Sequence, residues 1–264
     1  MTPIPRFTPT EPFRPMPGLA GAHSQTVLGS LVRRPRKATL LRERWTTPDG
    51  DFLDVDILEA APEVPHVLVL HGLEGSSNAG YVREILRGVA RRGWGALALN
   101  FRSCSGEPNR VLKSYNSGDI SDATFALERL RARGVTGPLF GVGFSLGGSV
   151  LLNVLARTGD GCPLSAGAAI SVPFDLDSCA HLLDAGGGLT AIYRERFLRT
   201  LKEKSLEKTK RHPGVLDPEA IRRAQGIRAF DAAVTARLFG FASAEDYYAQ
   251  CSAAPRLPDI RSPT

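Results

Sequence analysis

Hydrophobic and polar positions follow two rhythms along this chain before the pattern changes. Phe52-Leu53-Asp54-Val55-Asp56-Ile57 alternates apolar with polar, and Pro48-Asp49-Gly50 separates it from Leu40–Trp45. A period of two beside a turn signal predicts a β-hairpin over 39–47 and 51–58. Val67-Leu68-Val69-Leu70 is a continuous apolar run, the pattern of a strand buried on both faces. Val82, Ile85, Leu86 and Val89 then fall at helical spacing over 79–92, which stops at Gly93. Ala96-Leu97-Ala98-Leu99 predicts the next buried strand, and Ile120, Ala123, Ala126, Leu127 and Leu130 predict a helix over 119–133. Leu139–Gly143 reads as a third parallel strand running into helix 146–157, and Ala166–Val172 as a fourth. Strands alternating with helices imply right-handed crossovers and a mostly parallel sheet covered on both faces, an α/β fold with the hairpin at its edge.

Residues 174–255 break this rhythm. They are polar and helical in pattern, and Tyr193–Arg211 holds eight Lys/Arg against three Glu. The expected organisation is a core over 1–173, a helical cap inserted over 174–255, and the start of further core over 256–264. Within the first part, Pro3, Pro5, Pro9, Pro12, Pro15 and Pro17 predict an extended arm over 1–18, and Val27, Leu28 and Leu31 a short helix within 19–34.

Composition narrows the class. A chain of 264 residues with 42% hydrophobic and 23% charged content is ordinary for a globular protein. The net charge of +6 comes without a basic stripe interleaved with aromatics, so a nucleic-acid partner is not expected. Cys104, Cys162, Cys179 and Cys251 have no paired ligand spacing, so neither a metal site nor a disulfide framework is expected. With no signal-peptide pattern and no membrane-length apolar run, a cytoplasmic location is the expectation.

The chemistry concentrates at Gly143-Phe144-Ser145-Leu146-Gly147-Gly148, between a buried strand and a helix. A serine on so sharp a turn presents its hydroxyl at the carboxyl end of the strands, where open α/β sheets place ligands. Side chains two residues before and after it would collide, which accounts for Gly143 and Gly147. Attack on a carbonyl creates an oxyanion that needs preorganised donors. One is the N–H of Leu146 at the helix N-terminus. The other is expected from the loop after the first parallel strand, His71-Gly72-Leu73-Glu74-Gly75-Ser76-Ser77, with the N–H of Leu73 as candidate and Gly72 and Gly75 letting the backbone curl inward.

Together these segments resemble the YheT-like and ABHD1/ABHD3-like esterases and lipases of the α/β-hydrolase superfamily. The resemblance also rests on His23-Ser24-Gln25-Thr26, Asn100-Phe101-Arg102, Cys104-Ser105-Gly106-Glu107-Pro108-Asn109, Phe230-Asp231 with Thr235-Ala236, and Tyr247-Tyr248. It implies an α/β-hydrolase fold with a helical cap and a cofactor-free serine hydrolase acting on short-chain or lipid esters through an acyl-enzyme at Ser145. It also implies a triad Asp and His on strands later than Ala166–Val172. Neither is found before Thr264, so a truncated chain with impaired activity, poor solubility and an apolar sheet edge is expected. His71 is expected to orient its loop, His181 and His212 to pack or face solvent, and Asp175, Asp177 and Asp184 to be solvated; His23 and His66 have no supporting pattern. Ile192, Phe197, Leu198 and Leu201 with Arg194, Arg196, Arg199 and Lys202 suggest either a helix resting on an anionic membrane or a cap helix whose apolar face covers the site. Glu195 and Glu207 stand four residues before Arg199 and Arg211, the favourable order for helical ion pairs. The alternative function is a non-catalytic ligand-binding or scaffold protein that keeps the pocket.

Overall fold

The computed structural model describes residues 14, 15, 17, 18, 20, 21 and 39–264. Most of the Pro-rich arm, the helix expected within 19–34 and His23-Ser24-Gln25-Thr26 lie outside the described residues. The strands are β1 (Leu41–Thr46), β2 (Phe52–Leu58), β3 (His66–Leu70), β4 (Gly95–Leu99), β5 (Leu139–Phe144) and β6 (Ala166–Ile170). They form one sheet in the order β1-β2-β4-β3-β5-β6. β1 and β2 form the antiparallel hairpin, β2 runs antiparallel to β4, and β3, β4, β5 and β6 are mutually parallel. The hairpin and the four parallel strands thus occupy the places that the two hydrophobic periods predict, although β6 ends at Ile170 rather than Val172.

Helices α1 (Gly80–Ala90), α2 (Ser121–Ala132) and α3 (Leu146–Thr158) join the parallel strands. Strand alternation distributes the core between two layers. Leu68 and Leu70 of β3 and Leu97 and Leu99 of β4 join Leu127, Leu130, Val150, Leu151 and Leu155 of α2 and α3 on one face. Val67, Val69, Ala96 and Ala98 point the other way and pack with Val82, Leu86 and Val89 of α1. The smaller side chains on that face suit a single covering helix. Each fully buried leucine contributes about 1.5–3 kcal/mol.

Residues 174–255 contain helices and no strand. The longer helices are α4 (Leu176–Ala185), α5 (Leu189–Arg211) and, after shorter turns, α6 (Ala244–Cys251). Between α5 and α6, Ile227–Phe230 and Ala236–Phe239 are joined by a π turn over Asp231–Thr235. A separate small core of Leu198, Leu216, Ile221, Phe230 and Val234 holds this layer together. The basic helix buries Leu198, which is 2% exposed, whereas Leu189 and Ile192 near its start are 41% and 62% exposed. Arg211 reaches Glu207 at 3.4 Å, but Glu195 pairs with the adjacent Arg194 at 3.6 Å rather than with Arg199.

Among the described residues β6 is the last strand of the sheet. Its first four residues are small and its last, Ile170, is 39% exposed; the N–H of Gly167 donates to the carbonyl of Pro263 at 2.9 Å, so the final residues lie beside it.

Candidate active site

Ser145 occupies the junction of β5 and α3 with φ 51° and ψ −118°. A non-glycine residue held there stores about 1–3 kcal/mol of backbone strain, which the surrounding packing must impose. That packing leaves no space for side chains on either side. A Cβ on Gly143 would sit 2.4 Å from the carbonyl oxygen of Gly147, and a Cβ on Gly147 would sit 2.4 Å from that of His71. The turn therefore lies directly on the end of β3, against the loop that begins at His71. A Cβ on Gly72 would come within 3.3 Å of the Ser145 Cβ, so this loop passes over the serine at van der Waals distance.

Hydrogen bonds fix the loop residue by residue. The N–H of Gly72 donates to the Tyr81 hydroxyl at 3.0 Å, that of Glu74 to the Tyr115 hydroxyl at 3.1 Å, and that of Gly75 to the carbonyl of Gly72 at 3.0 Å. The N–H groups of Leu73 and Leu146 have no partner among the described residues. Both residues line the same cavity as Ser145. Leu146 begins α3, so its N–H is one of those that a helix start leaves unpaired, at the positive end of the helix dipole.

His71 serves the loop. Its Nδ1 donates to the carbonyl of Gly72 at 2.7 Å, and its Nε2 accepts from the N–H of Phe101 at 3.1 Å. Those two bonds define a neutral ring with the proton on Nδ1. Burial lowers the pKa to about 4, which keeps the ring uncharged at neutral pH.

The other candidate bases lie elsewhere. No described histidine is hydrogen-bonded to the Ser145 hydroxyl. His66 is buried at the start of β3, its Nδ1 2.9 Å from the carbonyl of Val64. His212 bonds the carbonyl of Arg110 through Nε2 at 3.0 Å, and His181 is exposed. Asp175 caps α4, accepting from the N–H groups of Asp177 and Ser178 at 3.0 and 3.2 Å. Asp177 is ion-paired with Arg228. Asp184 departs from the expected solvated role: it accepts from the N–H groups of Ile227 and Arg228 at 2.6 and 3.1 Å, capping the helix that starts there.

The cavity measures about 1690 Å³. It is lined by Leu73, Ser145 and Leu146, and by Ile192, Phe197 and Leu201 of α5. Three residues at this site were not identified as site residues from the sequence. Tyr81 and Tyr115 hold the loop through their hydroxyls, and Lys204 of α5 pairs with Glu74 at 2.8 Å. Nothing in the local spacing of these residues marks them, because each meets the loop only through the path of the folded chain.

Comparison with known proteins covers most of the chain. The model of the "Alpha/beta hydrolase family" matches residues 67–264. The chain is 38% identical over 263 residues to "Putative esterase YheT" of Escherichia coli (strain K12), a match covering 98% of this chain and 77% of that protein. It is 26% identical over 264 residues to "Phospholipase ABHD3" of Homo sapiens, covering 96% of this chain and 64% of that protein. A "Monoacylglycerol lipase" of Saccharomyces cerevisiae is 28% identical over 229 residues, which are 84% of this chain and 50% of that protein. The chain thus spans between half and about three quarters of the length of these three relatives. Among solved structures, the Pyrococcus furiosus esterase Pf2001 in its P212121 form aligns with a TM-score of 0.50 and 22% identity, covering 67% of this chain and 71% of that one, a likeness of fold alone. The strand–turn–helix around Ser145 lies within the matched segment, and from β3 to its last residue the chain belongs to the alpha/beta hydrolase family.

Proposed function

We propose that the protein is a serine esterase or lipase in which Ser145 is the nucleophile and the N–H groups of Leu73 and Leu146 form the oxyanion hole. The observation that carries this reading is a strained serine lining the same cavity as Leu73 and Leu146, whose N–H groups have no partner among the described residues. A base takes the hydroxyl proton, Oγ adds to the ester carbonyl, and the carbonyl oxygen becomes an anion between the two N–H groups. Collapse, with the base handing its proton to the leaving oxygen, expels the alcohol and leaves an acyl group on Ser145; water, deprotonated in turn by the base, then releases it as the carboxylic acid and restores the serine hydroxyl. Gly143, Gly147 and Gly72 allow the close approach of elbow and loop that this chemistry requires. The names of the relatives and the apolar residues of the cavity, Phe144, Phe197, Phe230 and Leu201 among them, support short-chain or acylglycerol-like esters as substrates.

The test is hydrolysis of p-nitrophenyl butyrate by the full-length protein. Ser145→Ala is expected to abolish it while melting temperature stays within a few degrees. Hydrolysis that survives Ser145→Ala would refute the nucleophile assignment. A protein that binds acyl ligands without turning them over would support the non-catalytic alternative.

A further inference from the structure

Glu74 lies beside Leu73, and its backbone is in the left-handed region at φ 55°, where a non-glycine residue needs support. That support is a ring of contacts around the loop. The Tyr115 hydroxyl accepts from the Glu74 N–H at 3.1 Å and donates to Glu74 Oε1 at 2.7 Å, clasping backbone and side chain together. The Tyr115 ring stacks on Phe101, with centroids 5.1 Å apart and planes at 10°. The N–H of Phe101 donates to His71, and His71 donates to Gly72, which closes the ring on the other side of Leu73.

One member of this assembly comes from outside the sheet layer. Lys204 of α5 places its ammonium 2.8 Å from Glu74 Oε2 and 3.5 Å from the Cys104 Sγ. Burial pushes the Cys104 thiol up to about 11, so the sulfur is a neutral neighbour at pH 7 and Glu74 is the anionic partner. The Glu74 side chain is only 7% exposed. A carboxylate that enclosed, left without its cation, is strongly disfavoured. The physical response is for it to turn toward water, and the Glu74 backbone would then lose the clasp that holds it left-handed.

We infer that Lys204 is a positioning residue for the oxyanion hole: through its ion pair with Glu74, helix α5 sets the direction of the Leu73 N–H. This rests on the reading of Leu73 and Ser145 given above. Lys204 touches no reacting atom. It couples the seating of α5 to the charge-stabilising step, so displacement of α5 would weaken acyl transfer as well as open the cavity.

The experiment compares steady-state hydrolysis of p-nitrophenyl butyrate by the full-length wild type, Ser145→Ala, Lys204→Met, Lys204→Arg, Glu74→Gln and the Glu74→Gln/Lys204→Met double variant. Lys202→Met is the control, since Lys202 is on the same helix but bonds the carbonyl of Arg222 instead. Loss of one oxyanion donor costs about 10²–10³ in kcat, so Lys204→Met is expected to lower kcat up to about 10²-fold. KM should stay within about threefold, because ground-state binding is not what the ion pair serves. Lys204→Arg should recover most of the loss, Glu74→Gln should fall in the same direction, and Lys202→Met should match the wild type. The double variant should be no worse than the poorer single variant, because both act through one contact.

Wild-type kcat in Lys204→Met, a rise in KM alone, or multiplying losses in the double variant would overturn the inference. If Lys204→Met does not fold, Lys204→Arg and Glu74→Gln carry the same kcat-against-KM test. A wild type without activity, or activity that survives in Ser145→Ala, would instead overturn the nucleophile reading, and this inference with it.

Discussion

Gly147→Ala adds one methyl group at the tightest point of the site. The new Cβ would stand 2.4 Å from the carbonyl oxygen of His71, 2.6 Å from that of Leu70 and 2.7 Å from the Leu70 carbonyl carbon. Relief requires roughly 1 Å of separation, since carbon contacts settle at about 3.5 Å or more. The obstacles are backbone atoms at the end of β3, buried in the sheet, so no side chain can rotate away. Overpacking of this kind costs about 1–3 kcal/mol, which for a domain of this size lowers the melting temperature by roughly 2–10 °C. Movement of the elbow away from the His71–Gly75 loop also separates Ser145 from the Leu73 N–H. A misplacement of about 1 Å can cost about 10²-fold in rate. The assay is a thermal melt together with kcat/KM for p-nitrophenyl butyrate, with Gly161→Ala as control because a Cβ there meets nothing within 4 Å. A Gly147→Ala protein that keeps wild-type melting and activity would refute both the close approach of elbow to loop and its importance.

Other expectations follow from polar groups placed by the fold. Arg102 is 2% exposed and bonds both oxygens of Asp122 at 2.8 Å while reaching Asp49 at 2.8 Å and Asp51 at 3.2 Å. Arg102→Met leaves the buried carboxylates without their cation and is expected to cost about 3–5 kcal/mol, read as a lower urea midpoint. Asp231 has its pKa raised from 3.8 to about 6, chiefly by burial, against the hydrogen bonds from Thr235 and Tyr248. A raised carboxyl pKa contributes stability that is present below pH 3.8 and lost as pH rises through about 6, at most about 3 kcal/mol. Asp231→Asn should therefore flatten the change in melting temperature between pH 4 and 7, and an unchanged profile would contradict the burial of that carboxyl. Because Leu198 of α5 is turned into the protein, binding to anionic vesicles should be chiefly electrostatic and disappear near 0.5 M salt, where screening acts within about 4 Å. Binding that persists at that salt in a sedimentation assay would mean that the apolar residues of α5 reach the membrane.

Much of the fold was legible in hydrophobic spacing. Continuous apolar runs marked Val67–Leu70 and Ala96–Leu99 as strands buried on both faces, and helical spacing marked α1, α2 and α3; which of those strand residues meet which helices appeared only in the folded core. The glycine positions around Ser145 were legible for a related reason: a sharp turn constrains residues two places away, which is a distance along the chain. The placement of Asp184 was not legible, because its acceptor role depends on a helix start far along the sequence. The two uses proposed for α5 were equally compatible with its spacing, since an apolar stripe shows that a face is covered without showing what covers it.

The sequence by itself determined the alternation of strands and helices, the elbow at Ser145 and the loop expected to face it, because each is a local matter of which residues can occupy a face or a turn. Only the tertiary structure decided how that loop is held. The Tyr81 and Tyr115 hydroxyls, the His71 ring between Gly72 and Phe101, and the Lys204 ammonium on Glu74 come from separate stretches of chain. Buried polar groups must find partners wherever the folded chain brings them, and sequence spacing does not record that path.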